Sequence, residues 1–286
     1  MIHYDYLIGG VKYRIISPVP LEEEARWQRF RSVFDEPDHS YRLSYLPGEP
    51  VFDGDLLYED ERVRGGVKDG RPYRVYYRSD HRGYASVYER SPSDWEITLR
   101  RELLPWGSSL EHLFVLYGLS RSLLRRGSLL LHGSYILTER GAIVFTAPSG
   151  TGKSTQAELW RRYRGSPVIN GDRAVLSRRD GTVLAHGLVH SGSSEDCENV
   201  TSPLLAVVSL SQAKENSVTE LKGMQALRAL LRGTYLLPEF REDIEQLMSL
   251  ADRICSAVPV LHLACLPDVT AVETLEYQLA ALMGAV

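Results

Sequence analysis

The residues best equipped for chemistry stand together in Ala147-Pro-Ser-Gly-Thr-Gly-Lys-Ser-Thr155. Gly150 and Gly152 let the backbone curl until successive N–H groups point inward, which makes a nest for a dense anion. Lys153 adds a full positive charge. Ser154 adds a hydroxyl of the kind that ligates a hard divalent cation. A phosphate chain carried with magnesium uses all of these at once. Ser149, Gly150, Thr151, Gly152, Lys153, Ser154 and Thr155 are therefore read as a site for ATP and Mg2+. The pattern departs from G-x-x-x-x-G-K-[ST] at its first position, where Ala147 needs a negative φ.

A phosphate site that transfers its phosphoryl group also needs a carboxylate, usually at the end of a neighbouring strand. Val168-Ile-Asn-Gly-Asp-Arg173 offers Asp172 just past a short apolar run. Asp172 is expected to ligate the metal directly or through water, or to act as the base near an acceptor hydroxyl; an ordinary turn aspartate is the competing reading. His132, in the apolar run Leu129–Leu137, reaches the γ phosphate or metal shell if its strand neighbours the loop strand; otherwise it is a core histidine. Glu195 and Glu198 in the polar segment His190–Glu198 are candidates for metal or substrate contact, against a default of solvated acids.

The elements that must hold these residues are legible from periodicity. Apolar runs at 129–137 and 142–146 read as strands, the second leading straight into the glycine loop. Residues 154–163 read as a helix, and 168–170 as a strand returned by a βαβ crossover. Further along, 204–210 and 260–266 read as strands. Residues 223–232, 239–258 and 269–283 read as helices, the last capped by Asp268. The first hundred residues have a different texture. Period-2 runs on either side of Gly9-Gly10 predict a hairpin, and 71–78 and 84–89 predict further strands. Their many tyrosines follow from β-propensity, and exposed ones would suit gripping a peptide. Residues 18–50 read as a short helix and loops. Ser-Ser-Leu-Glu at 108–111 reads as a capping box opening a helix through Leu124. The expected organisation is a β-rich N-terminal domain at 1–104 and an α/β domain at 105–286.

Composition bounds the function classes. The chain has 286 residues, 43% hydrophobic and 24% charged, with a net charge of −4. That balance argues against a nucleic-acid or membrane-surface partner. Three cysteines without a C-x-x-C pair fit neither a disulfide framework nor a structural zinc site, so a cytoplasmic setting is expected. The start lacks the pattern of a signal peptide, and no apolar run reaches the ~20 residues of a membrane span. A homo-oligomer is compatible with all of this.

Taken together, Leu-His-Gly-Ser at 131–134, Pro-Ser-Gly-Thr-Gly-Lys-Ser-Thr at 148–155 and Gly-Asp-Arg at 171–173 resemble the HPr serine kinase group of P-loop kinases. That group is distantly similar to ATP-dependent phosphoenolpyruvate carboxykinase. The resemblance spans roughly residues 105–280. It implies a P-loop kinase core with a mixed sheet, acting on a serine hydroxyl of a peptide or protein. By analogy Lys153 holds the β and γ phosphates, Ser154 the metal, and His132 matches the family histidine. Asp172 matches the second of two adjacent acids, and Gly171 stands in place of the first. Base and metal roles then merge on Asp172, or one moves to Glu195 or Glu198; Glu198 is taken as the third metal candidate beside Ser154 and Asp172. A long glycine-rich signature downstream has no counterpart, which sets the chain apart from the sugar-regulation enzyme. The segments His190–Glu198 and Ser211–Asn216 are similar to relatives encoded beside modified-peptide pathways, some of which phosphorylate the C-terminal serine of lasso precursor peptides. An edge strand of the N-terminal domain would suit capture of such a peptide. A small-molecule kinase, a nucleotide-dependent switch or ATPase, and a binding protein with a degenerate site are the alternatives.

Overall fold

Gly9 and Gly10, with φ of 60° and 73°, turn β1 (Ile2–Ile8) back onto β2 (Val11–Ser17) in antiparallel register, Ile8 opposite Val11. Two positive φ values in a two-residue turn match the right-handed twist of the strands, and glycine adopts them without strain. The computed structural model describes residues 1–192, 194–235, 240–282 and 284. The ends of two expected helices, at Glu239 and Met283, lie outside the described residues, as does Ser193 in the segment 190–198.

Two units divide the chain. The first holds residues 1–126 and 240–243, the second residues 127–235 and those from 244 onward. In the first unit β3 (His39–Leu46), β4 (Asp55–Glu59), β5 (Val63–Lys68), β6 (Arg71–Tyr77), β7 (Gly83–Ser91) and β8 (Asp94–Arg100) join β1 and β2. The sheet runs β1-β2-β3-β8-β7-β6-β5-β4. The pairs β2–β3 and β3–β8 are parallel and the rest antiparallel. Four short helices accompany it: α1 (Ala25–Gln28), α2 (Leu104–Gly107), α3 (Leu110–Leu113) and α4 (Leu119–Arg125).

Three expectations are corrected here. Residues 18–50 hold the expected short helix, α1, but also β3, a strand in the interior of the sheet where loops were expected. The helix expected from Ser108 to Leu124 is broken. Ser109, not Ser108, caps α3 by accepting from the His112 amide, a 3-10 turn follows at Phe114–Tyr117, and Gly118 (φ 54°) ends it. The break between units falls after Arg126, not at 104/105. Residues 105–126 pack on the first sheet: the Tyr45 hydroxyl donates to the Gly107 carbonyl, and the Tyr41 hydroxyl donates to Ser122 Oγ. Most tyrosines of this unit serve its core, while Tyr58, Tyr77, Tyr84 and Tyr88 are half-buried. Tyr4, Tyr6, Tyr13, Tyr41, Tyr45 and Tyr117 are buried, so gripping a peptide is not their role. Phe240 and Asp243 return to this unit because the buried Arg121 holds both, with Phe240 under its guanidinium and Asp243 Oδ2 3.1 Å from its Nε.

The second unit is α/β with a mixed sheet. Its strands are β9 (Ser128–Thr138), β10 (Gly141–Thr146), β11 (Val168–Asn170), β12 (Arg173–Arg179), β13 (Thr182–His186), β14 (Thr201–Gln212), β15 (Ser217–Leu221) and β16 (Val260–Cys265). Its helices are α5 (Lys153–Arg164), α6 (Met224–Leu231), most of α7 (Arg241–Cys255) and α8 (Val269–Leu282). Strand β10 lies between antiparallel β9 and parallel β14, and β14 continues to β16. On its other edge β9 pairs with β12 and then β11, and β13 links β12 to β14. The pairings thus close on themselves through β10, β9, β12, β13 and β14. Ile143, Phe145, Val208, Leu210, Leu261 and Leu263 face a core shared with Ala157 and Trp160 of α5 and Leu275 of α8. Among the described residues, no helix is long and apolar enough to cross a membrane.

Candidate active site

Strand β10 ends at Thr146 and α5 begins at Lys153, so the glycine loop hangs between a buried strand and a helix N-terminus. Gly150 and Gly152 take φ of 77° and 121°, and no atom lies within 4 Å of where their side chains would start. Ala147 is absent from the positive-φ residues, so the departure at the first position of the pattern costs no backbone strain. Lys153 is buried and folds back over the loop, donating to the Ala147 carbonyl at 3.0 Å and the Pro148 carbonyl at 3.4 Å. Burial pulls its pKa below the ordinary lysine value, and Asp172 pulls the other way. Ser154 and Thr155 are exposed on the first turn of α5.

Asp172 and His132 do come together. Strands β9 and β10 are neighbours, as the histidine's reach required. His132 Nδ1 lies 3.3 Å from Asp172 Oδ1, and the Gly133 amide donates to the Asp172 carbonyl. Burial and then the Lys153 charge hold the imidazole below its ordinary pKa, with Asp172 opposing both. Arg173 Nε donates to Asp172 Oδ2 at 3.2 Å. Three charged groups and an imidazole therefore meet at the C-terminal end of β10, where the loop opens.

Several residues of this cluster carry no obvious chemical signature in the sequence. Asn170, fully buried, builds the turn that presents Asp172. Its Oδ1 accepts from the amides of Asp172 and Arg173, and its Nδ2 donates to the carbonyls of Leu188 and His190. An Asn two residues before an Asp, with Gly between, was the available signal. Tyr235 shares a 3.0 Å hydrogen bond with His132 Nδ1, the nitrogen that Asp172 also approaches, and its ring lies under the Arg173 guanidinium. Nothing local in the sequence marks Tyr235. It arrives because residues 233–235 pair with β9 at 130–132, beyond the point where β10 leaves it. The His132 amide donates to the Gly233 carbonyl, and the Tyr235 amide to the Leu130 carbonyl.

Gly192 and Ser194 lie against the Gly171–Asp172 turn, with the Gly192 backbone nearest to Asp172. The Gly192 α-carbon sits so near that a methyl group there would lie 2.9 Å from Asp172 Cγ. A side chain at Gly171 would run into Ser194. The position of the missing acid is therefore sealed. Glu195 is exposed. Asp196 turns to Arg161 at 2.6 Å. Glu198 is exposed too, its amide donating to the Ile169 carbonyl. Among the described residues no group of three or more His, Cys, Asp or Glu side chains could hold a metal ion.

Comparisons with known proteins add little. No family profile matches the chain, and no curated protein matches it in sequence. One solved structure it resembles is the Hpr(Ser) kinase/phosphatase from Coxiella burnetii, with a TM-score of 0.34 and 11% identity over 54% of this chain and 98% of that one. The relationship is distant and structural only.

Proposed function

We propose that this chain is an ATP-dependent kinase that transfers the γ phosphoryl group to a serine hydroxyl of a peptide or protein. The observation that carries the reading is the meeting of Lys153 and the glycine loop with Asp172 and His132 at the end of β10. A phosphate nest alone serves any nucleotide-binding protein. A carboxylate beside it, positioned by its own buried Asn170, supplies what transfer to a hydroxyl needs.

In this reading the loop amides and Lys153 bind the β and γ phosphates of the donor, ATP. Lys153 does so by exchanging its bonds to Ala147 and Pro148 for phosphate oxygens. Ser154 and Asp172 would hold magnesium, with Glu198 as a further carboxylate. That sparse protein share suits Mg2+, which keeps waters and takes phosphate oxygens. Bound there, the metal would offset negative charge on the phosphates. The acceptor hydroxyl oxygen forms a bond to the γ phosphorus as the bond to the β-phosphate oxygen breaks, and Asp172 takes the hydroxyl proton. His132, kept neutral by burial and by Lys153, orients that carboxylate. Gly171, closed off by Ser194, leaves Asp172 as the single acid at this turn.

The substrate class is proposed as a peptide ending in serine, such as a lasso precursor, from the similarity of His190–Glu198 and Ser211–Asn216 to relatives of modified-peptide pathways. The first unit offers a means of capture: β4 is an edge strand of its sheet, with Leu56 and Leu57 exposed. A cytoplasmic setting and a homo-oligomer complete the proposal. Incubation with MgATP and a precursor peptide ending in Ser, read by mass spectrometry, tests it. Gain of one phosphate on that serine, lost with Lys153→Ala, is expected. Phosphate gain on a small molecule alone would replace the peptide reading. ADP release with no phosphorylated product would turn the assignment to an ATPase or switch.

A further inference from the structure

The glycine loop borders a cleft of about 950 Å3 whose floor lies on the β14 and β16 side of β10, and whose wall reaches back past Thr146 to Arg232, next to the Gly233 that accepts from the His132 amide. The loop from Ala147 to Thr151 forms one wall, and α6 forms the other. Helical spacing puts Gln225, Arg228 and Arg232 on the cleft side of that helix and its neighbour, while Ala226, Leu227 and Leu230 are buried. Ser211 and His262 form the floor. They alternate with the core residues Leu210, Leu261 and Leu263, so they point to the other face of the sheet.

The charge of this cleft is one-sided. Among the described residues no Asp or Glu lines it, in a chain whose net charge is −4. Arg228 and Arg232 are exposed, and neither side chain has a hydrogen-bond or ion-pair partner among the described residues. Like charges four residues apart on a helix repel one another. Two such guanidiniums facing a nest of backbone N–H groups suit a ligand with more than one negative charge.

The direction of that ligand follows from the sheet. Lys153, Asp172 and His132 mark the β9 and β11 side as the end where the γ phosphate reacts. A triphosphate held in the loop then runs its other end toward β14 and β16, where the cleft lies. We propose that the nucleoside of the bound nucleotide occupies this cleft, and that Arg228 and Arg232 grip its phosphates opposite the glycine loop. The proposal rests on the ATP reading of the loop and adds the second wall of the site.

Titration calorimetry of the full chain with MgATP, MgADP and MgAMP tests it. The pair Arg228→Ala with Arg232→Ala is expected to weaken MgATP and MgADP binding by at least about tenfold, with a shallower dependence on salt. Its unfolding temperature should stay at the wild-type value, because neither arginine has a partner to lose. If the alanine pair does not fold, Arg228→Gln with Arg232→Gln takes its place. Return of Lys at both positions should restore part of the affinity. Wild-type chain that binds MgATP beside a double variant that binds it equally well overturns this inference and leaves the kinase reading standing. The same holds for a variant whose only defect is a raised KM for the acceptor. Wild-type chain that binds no MgATP overturns both.

Discussion

In the proposed kinase Lys153 and Asp172 have different roles, and single substitutions should separate them. Lys153→Ala is expected to lower turnover by several orders of magnitude with the fold intact, since its charge would offset the negative charge that develops on the phosphates in the transition state. Steady-state kinetics beside circular dichroism checks this. Asp172→Asn keeps the shape of the turn and removes the proton acceptor. Transfer should fall far more than nucleotide affinity, and equal loss of both would point to a metal-holding role alone. Gly171→Ala should cost about 1–3 kcal/mol in a denaturant melt, because the new methyl group collides with Ser194. The loop residues, Asp172 and His132 were legible in the sequence because their types and order have a chemical logic. Tyr235, Arg228 and Arg232 were not. They reach the site through pairings and a helix face set far along the chain, and an isolated Tyr or Arg has no local signature.

Elements whose hydrophobic period is undisturbed were read nearly to the residue, as with β10, α5 and β16. Misreadings occurred where a backbone feature overrode the period. The run from Leu110 to Leu124 has helical spacing, yet Gly118 bends it at φ 54° and a 3-10 turn precedes it. Gly118→Ala should cost about 1–2 kcal/mol, since an L side chain resists that conformation and the added carbon would lie 3.3 Å from Arg74 Nη1. A stabilised variant would mean the break can be straightened. Strand β3 escaped notice because its sequence, His-Ser-Tyr-Arg-Leu-Ser-Tyr-Leu, mixes polar residues with buried Tyr41, Leu43 and Tyr45. In α6 the burial of Leu230 ties the arginine-bearing face to β14 and β16. Leu230→Ala should cost roughly 2–5 kcal/mol and weaken nucleotide binding with it.

Each unit carries one buried neutral histidine, and this sets how the molecule responds to acid. His39, in the first unit, bonds the Ser122 carbonyl; His186, in the second, lies between Ser177 and Thr201. Burial lowers both to about 4 from an ordinary 6.5. A depressed histidine keeps its neutral form in the folded state while the unfolded chain takes up the proton. Stability is therefore full above about pH 6.5 and falls as the pH drops from there to about 4, by on the order of 3 kcal/mol for each histidine. Thermal melts across that range should show a steep acid loss, blunted by His186→Gln for the second unit. A flat profile would show that these imidazoles are charged in the fold. The ring of pairings through β10, β9, β12, β13 and β14 has a different kind of consequence. The loop strand meets β9 at once through a hairpin, but its parallel neighbour β14 is made about 60 residues later. A growing chain thus emerges with the glycine loop attached to one half of its sheet. The candidate site can mature only after residues near 210 leave the ribosome, and nascent chains arrested before that point should be open to protease at β10 and resistant after it.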